Sequence, residues 1–464
     1  MENDFVLDKA MVLAGATLLP VIIWYFQQQL TKKILLFGLL FFLVFSRGTL
    51  ELIGIPSTIM RIILELLIIW IFSKSLFLKK NPGIVKFPGL FWILLFVVIA
   101  LLSIILNELS VVSFFLFLRD YLMIALFFYG VLNSSLSIRE QLVLQKLLIF
   151  LFIAQIAANI VKLVVFQHIV EPYIGTMANL GGSLTVVFAL MGGAYTLGTY
   201  LITKKKRYIL WTVGFIGFSI IGGKRATIIY FPFIYFFIFF IYQRKFETFR
   251  IRGVGQLIML VVLSIAIFYS SIRLMPSLNK ERDVGGSFDM EYALNYSESY
   301  LTTGAGAVEQ IGRTEAPFYI LNFLSDDNVY NFLLGYGAGH LIKSSFNTSL
   351  QDEGSQVELT NTLYGVGYGA RTAFLQILLQ TGVLGLICFL LWLFSVFRFT
   401  KKNSKPHISN FLSVRNYLFY MTCWLIFLID FFTYSVTIVQ ISSVAIVFIW
   451  CIANYHSEKI SLVR

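Results

Sequence analysis

Residues 372–397 read TAFLQILLQTGVLGLICFLLWLFSVF, with no charged side chain among them. A helix needs about twenty mostly apolar residues to cross a bilayer, so this stretch is long enough to span one. Its apolar residues run on without the alternation of a barrel strand. That leaves the α-helix as the form that pairs every backbone group inside lipid. Ile209–Gly222 has the same texture. The whole 464-residue chain is 58% hydrophobic and 13% charged, with mean hydropathy +0.82. Soluble domains carry about a quarter charged residues, so the composition predicts an all-α integral membrane protein of many spans.

Apolar windows of this kind fall near 9–27, 33–50, 56–73, 88–106, 111–131, 142–166, 176–202, 208–223, 226–243, 254–272, 372–397, 416–434 and 436–454. The expected architecture is therefore about 12–13 transmembrane helices. The formal net charge is +12, and its sources cluster between spans at Lys32-Lys33, Lys79-Lys80, Lys204–Arg207, Arg244–Arg252 and Arg398–Lys405. Such clusters mark cytoplasmic loops, and nucleic acid is not expected as a partner. Alternating the loops puts the N-terminus outside and the C-terminus inside. The opening Met1–Asp8 is acidic, unlike a cleaved signal peptide. Cys388, Cys423 and Cys451 all lie in apolar windows and give neither a disulfide framework nor metal spacing. No internal repeat is visible, which weighs against transporters built from repeated halves.

One segment breaks the pattern. Arg273–Arg371 holds half of the chain's 24 carboxylates and is rich in Asn, Ser, Thr and Gly. The chain therefore divides into helices at 1–272, a large extracytoplasmic loop at 273–371, and the last spans with a short tail at 372–464. Within the loop Arg313, His340, Lys343 and Arg371 stand out, as does the turn Gly335-Tyr336-Gly337-Ala338-Gly339. Charges also occur inside spans, where each is expensive. Arg61 and Glu65, four apart on one helix, are expected to pair locally, and Arg119-Asp120 to form a local pair or a site. Lys162 is read as snorkelling to the interface, and Asp430 as facing a cavity. Gly222-Gly223-Lys224-Arg225-Ala226 places two cations at the outer face between closely spaced spans, where an arginine fork suits a phosphate. The His, Cys and acidic residues show no metal-ligand spacing, and no Walker loop or nucleophile elbow occurs.

Four stretches, in this order, resemble the O-antigen polymerase and O-antigen ligase superfamily of bacterial membrane glycosyltransferases. Gly175–Ser183, GTMANLGGS, is similar to a Gly-x-x-x-Asn segment opening a central helix, and gives Asn179. Ser219–Ile228, SIIGGKRATI, is similar to the family's Ser-Arg-Gly-Ala-like turn and places Arg225 on its arginine. Gly312-Arg313 through Gly339 resembles the Gly-Arg … Gly-x-Gly pattern of the large outer loop. Ala373–Gly385, AFLQILLQTGVLG, resembles the re-entry into the membrane. One departure stands out. Ligases carry a His-Asn pair just ahead of that re-entry, and this chain has Arg371-Thr372 there. The departure favours a polymerase.

The resemblance implies a fold of the GT-C type found in lipid-linked-sugar glycosyltransferases. It also implies a metal-independent reaction without a cofactor, on the outer face of the bacterial cytoplasmic (inner) membrane. Donor and acceptor would be glycans on polyprenyl diphosphate, with a flippase and a chain-length regulator as possible partners beside the membrane lipids. Expected roles follow. Arg225 and Arg313 stabilise the departing diphosphate, and Lys224, Arg371 and Lys343 support them. His340 is the first candidate for general base because an unperturbed imidazole titrates near neutrality; Glu309 and Glu315 are next. The competing expectations are a ligase-type transferase, a flippase of lipid-linked sugars or other transporter, and a membrane scaffold.

Overall fold

A computed structural model describes residues 33–52, 55–77, 86–134, 136, 138–166, 175–177, 184–223, 225–246, 251–302, 311, 314–341, 372–402 and 411–433. Among these residues the chain is helical and has no strand. In chain order the helices are α1 (Lys33–Leu52), α2 (Ser57–Phe77), α3 (Leu90–Leu106), α4 (Val111–Asn133), α5 (Ile138–Phe166), α6 (Leu184–Thr203), α7 (Arg207–Ile221), α8 (Thr227–Phe246), α9 (Ile251–Leu274), α10 (Met290–Thr302), α11 (Ala316–Asp327), α12 (Val329–Leu334), α13 (Ala373–Lys402) and α14 (Phe411–Thr433). Each expected span has its helix except 9–27 and 436–454, which lie outside the described residues.

Among the described residues, fewer helices meet the length and composition of a membrane span than the sequence led us to expect. Seven described helices are long and apolar enough to cross a membrane: α4, α5, α6, α8, α9, α13 and α14. The run at α7 is only 15 residues long. At about 1.5 Å per residue it covers about 22 Å, less than a hydrocarbon core of about 30 Å. α2 carries Arg61, Glu65 and Lys74 within its 21 residues.

Contacts between helices show which ends coincide. At one end Asn133 exchanges hydrogen bonds with the Lys86 backbone (3.1 and 3.2 Å), and Lys86 lies over the Phe399 ring. There, too, the hydroxyls of Thr400 and Tyr420 pair at 2.7 Å, and Lys245 donates to the Tyr417 hydroxyl. Lys204 lies over Tyr242 at the same end. The exposed Lys204–Arg207, Arg244, Lys401 and Lys402 belong here, so the basic clusters of the described residues share one end. The turns at 107–110 and at 222–223 with 225–226, and the described residues of the polar segment between 275 and 341, occupy the opposite end.

Within the polar segment a 3-10 turn (Pro276–Leu278) leads to α10, and α11 and α12 follow. These helices have 13, 12 and 6 residues and are too short to span. Ala316, Ile320 and Leu324 form one stripe of α11 and pack on Leu375, Leu378 and Leu379 of α13. The segment is thereby tied down to the bundle.

Candidate functional site

Two structures at the polar end hold Arg225 and His340, two of the sequence-predicted residues that the structure describes. The first is the turn between α7 and α8. α7 stops where Gly222 and Gly223 bond back to Phe218 and Ile220 (3.1 and 2.8 Å) with Gly223 left-handed, and Ile228 N–H then bonds to the Arg225 carbonyl. Beneath the turn the buried hydroxyls of Ser219 and Thr227 pair at 2.5 Å, clamping the two helix ends. The turn therefore presents Arg225 at a fixed position. Its guanidinium lies 5.1 Å from the ring centroid of Tyr296, on α10 of the polar segment. A cation on an aromatic face is held by the ring quadrupole while its planar edge keeps its donor geometry.

The second is a junction built on a break in α13. Gly382 has φ 64° and ψ −170°, which splits the helix into arms at 373–381 and 383–402. A break frees carbonyls that would otherwise accept within the helix, and an unpaired carbonyl in lipid costs several kcal/mol. Here they are taken up. The Leu379 carbonyl accepts from Tyr336 N–H (2.8 Å) and the Gln380 carbonyl from Ser103 Oγ of α3 (3.0 Å). The Gln380 side chain takes Gly339 N–H (2.8 Å) and donates to Gln376 O, while Asn107 donates to the Gly335 carbonyl (3.1 Å). Close approach explains the glycines at the contact. A Cβ on Gly335 would lie 2.6 Å from Thr381 N, and one on Gly382 would lie 2.3 Å from the Leu333 carbonyl carbon. The glycine-rich turn is thus a plug in a broken helix.

His340 ends this turn. Its Nδ1 sits 2.8 Å from the Gly337 carbonyl. A carbonyl only accepts, so Nδ1 carries the proton and Nε2 is the basic nitrogen. Burial pushes the imidazole down to about 4, against a smaller upward effect of the Gly337 carbonyl. The reason for choosing His340 as base, a pKa near neutrality, therefore does not hold: the ring is neutral at pH 7 but weakly basic. Glu315 is exposed at the start of α11 and makes no side-chain cap there. Arg225 and His340 share the polar end but are held by separate elements, one by the α7–α8 turn and Tyr296, the other by α3, α4 and the α13 break. Lys224, Arg313, Lys343, Arg371, Glu309 and Asn179 lie outside the described residues. Thr176 of the Gly175–Met177 turn is bound by Gln155 of α5, and Gly175 N–H by Asn159.

The sequence suggested two local ion pairs in the spans, and the structure joins them into one network. Arg61 bonds Glu65 (3.0 Å) on its own helix and Asp120 (2.5 Å) on α4, while Arg119 faces both carboxylates at 3.5 and 3.6 Å. Two positive and two negative charges balance between α2 and α4. Asp430 is buried near the polar end of α14, and the side chain of Lys162 lies outside the described residues. Among the described residues no group of three His, Cys, Asp or Glu is placed to hold a metal ion.

These features define a helical protein of the multi-pass membrane class with a structured polar end. Comparison with family models, with curated proteins and with solved structures finds no match.

Proposed function

We propose that this chain is a polysaccharide polymerase, which joins polyprenyl-diphosphate-linked repeat units of an O-antigen or capsule at the outer face of a bacterial cytoplasmic membrane. The Arg225–Tyr296 contact carries the proposal: a cation from a tight interhelical turn meets the polar segment at the end opposite the basic clusters Lys204–Arg207, Arg244 and Lys401-Lys402. Basic residues favour the cytoplasmic side, so this end is assigned to the outer face.

In the proposed reaction a sugar hydroxyl of one repeat attacks the anomeric carbon of the other. The new glycosidic bond forms as the bond from that carbon to the diphosphate oxygen breaks. The bonding electron pair leaves with the polyprenyl diphosphate, and the hydroxyl proton passes to a base. Fixed cations near the leaving oxygens stabilise the transition state more than the ground state. Arg225 and Arg313 are assigned that role, with Arg371 and Lys224 as supporting cations. Neutral His340, accepting at Nε2, suits orientation of the hydroxyl better than removal of its proton.

The test is Arg225→Ala in the source cell, with membrane abundance measured alongside. The expected result is loss of long glycan, with a single repeat unit on the final acceptor. Long lipid-linked polymer that is never transferred would assign the ligase reaction instead. Undiminished long glycan in both Arg225→Ala and Arg313→Ala would remove the glycosyltransferase reading.

A further inference from the structure

α9 is the least enclosed of the candidate spans, with 22% of its span window buried. Its open face is a stripe of Ile258, Val262, Ile265 and Tyr269, each between 47% and 63% exposed. That stripe is the surface a span shows to lipid. It does not stop where the helix stops. Tyr269 stacks on Phe288, with centroids 5.2 Å apart and planes at 30°, and Phe288 belongs to the polar segment. Beyond Phe288 come Met290 and Leu294, 51% and 52% exposed on α10.

The pattern around α10 is that of an interfacial helix. At about 100° per residue, Met290 and Leu294 fall in one narrow sector. Ala293, buried, and Tyr296, which carries Arg225, lie to one side of it, and the exposed Glu291 and Asn295 to the other. Packed, apolar and polar sectors therefore follow one another around the helix. A solvent-facing helix has no use for the middle one. The backbone leading in is also fixed: buried Asn279 donates to the carbonyls of Met275 (3.2 Å) and Asp283 (2.8 Å), and Arg273 donates to those of Gly285 and Gly286 (3.1 Å each).

We propose that Phe288, Met290 and Leu294 form a lipid-seated anchor, which lies in the headgroup–acyl boundary beside the polar end of α9 and holds α10 against the bundle. The occupant is the bilayer itself, because the patch is continuous through the Tyr269–Phe288 stack with the lipid-facing stripe of a span. Its consequence is positional. With one sector of α10 in lipid, the neighbouring sector keeps Tyr296 over Arg225. This does not depend on which reaction the protein performs.

The test uses the full chain in lipid nanodiscs, with nitroxide labels at Met290→Cys, Leu294→Cys and Asn295→Cys in turn, in a background where the three native cysteines are replaced. Collision with oxygen, which partitions into lipid, is compared with collision with a water-soluble nickel chelate. Labels at 290 and 294 are expected to meet oxygen several-fold more than nickel, and the label at 295 the reverse. Equal access of nickel to all three sites would overturn the proposal. So would protection of 290 and 294 from both reagents, since the patch would then be covered by protein, whether by another part of this chain or by a second copy. A circular-dichroism spectrum matching the parent protein qualifies each variant. If the labels disturb folding, quenching of a Phe288→Trp variant by brominated lipids against a Phe288→Leu control reads the same surface.

Discussion

Replacing Asp120 by Asn keeps the shape of the side chain and removes one charge from a balanced set of four. Asp120 lies nine positions into α4, about 14 Å along its axis, which is near the middle of a hydrocarbon core of about 30 Å. In the native arrangement the carboxylate bonds Arg61 at 2.5 Å and faces Arg119 at 3.6 Å. After the substitution Glu65 alone answers two guanidiniums, and the cluster carries a net positive charge at membrane depth. A cation at the centre of a spanning helix costs about 2.5–3.5 kcal/mol on insertion scales. Breaking a buried pair by removing one partner costs about 3–5 kcal/mol. The two routes overlap, so Asp120→Asn is expected to destabilise by about 3 kcal/mol. Arg61→Gln should cost a similar amount through the opposite imbalance. The double variant restores neutrality and keeps Glu65 facing Arg119 at 3.5 Å. Its destabilisation should therefore fall short of the sum of the single effects by at least about 1 kcal/mol. Reversible unfolding in bicelles, measured for the parent, both single variants and the double, gives the coupling directly. Additive losses would refute the reasoning, because they would mean that Arg61 and Asp120 act as separate charges and that no network joins α2 to α4.

Two further outcomes follow from the junction at the α13 break. Gly335→Ala is expected to cost well over 2 kcal/mol in thermal unfolding, since a left-handed alanine costs about 1–2 kcal/mol and its Cβ also meets backbone at 2.6 Å; Gly223→Ala, left-handed but facing open space, should cost only the first part, and equal losses would mean that the plug is not close-packed. His340 titrates at about 4 when folded and near 6.5 when free, so between those values the unfolded turn binds the extra proton and stability falls as the pH is lowered. The contribution is complete above about pH 6.5 and weaker by about 2 kcal/mol at pH 5. Hydrogen exchange at Gly339 N–H should accelerate accordingly after correction for intrinsic rates, and His340→Gln should flatten that dependence.

How much of this was legible in the sequence depends on whether the information was local. The helices were, because an uncharged run such as 383–397 has one low-energy form in lipid whatever surrounds it. Arg225 was legible too: glycines at 222 and 223 announce a turn, and adjacent cations in a turn between apolar runs need an account. Its partner was not, because nothing in Tyr296 itself distinguishes it from the neighbouring Tyr292. The ion network was half legible. Spacing of four proposes Arg61 with Glu65, but the stronger contact is to Asp120, 59 positions away, and helical periodicity identifies faces without saying which faces meet. The break in α13 was hidden most completely, since TAFLQILLQTGVLG reads as one span and a lone glycine is tolerated in a helix. The signal lay in the polar residues around it. Gln380, Gln376, Ser103 and Asn107 sit in or beside apolar runs, where an amide or hydroxyl needs a partner. Four such residues, with a glycine-rich turn elsewhere in the chain, are the mark of backbone that has left the helix and is being satisfied from outside. That inference transfers to the remaining buried polar positions. Thr185, Ser271 and Thr372 are buried hydroxyls near the polar ends of α6, α9 and α13, where the same demand for a hydrogen-bond partner applies.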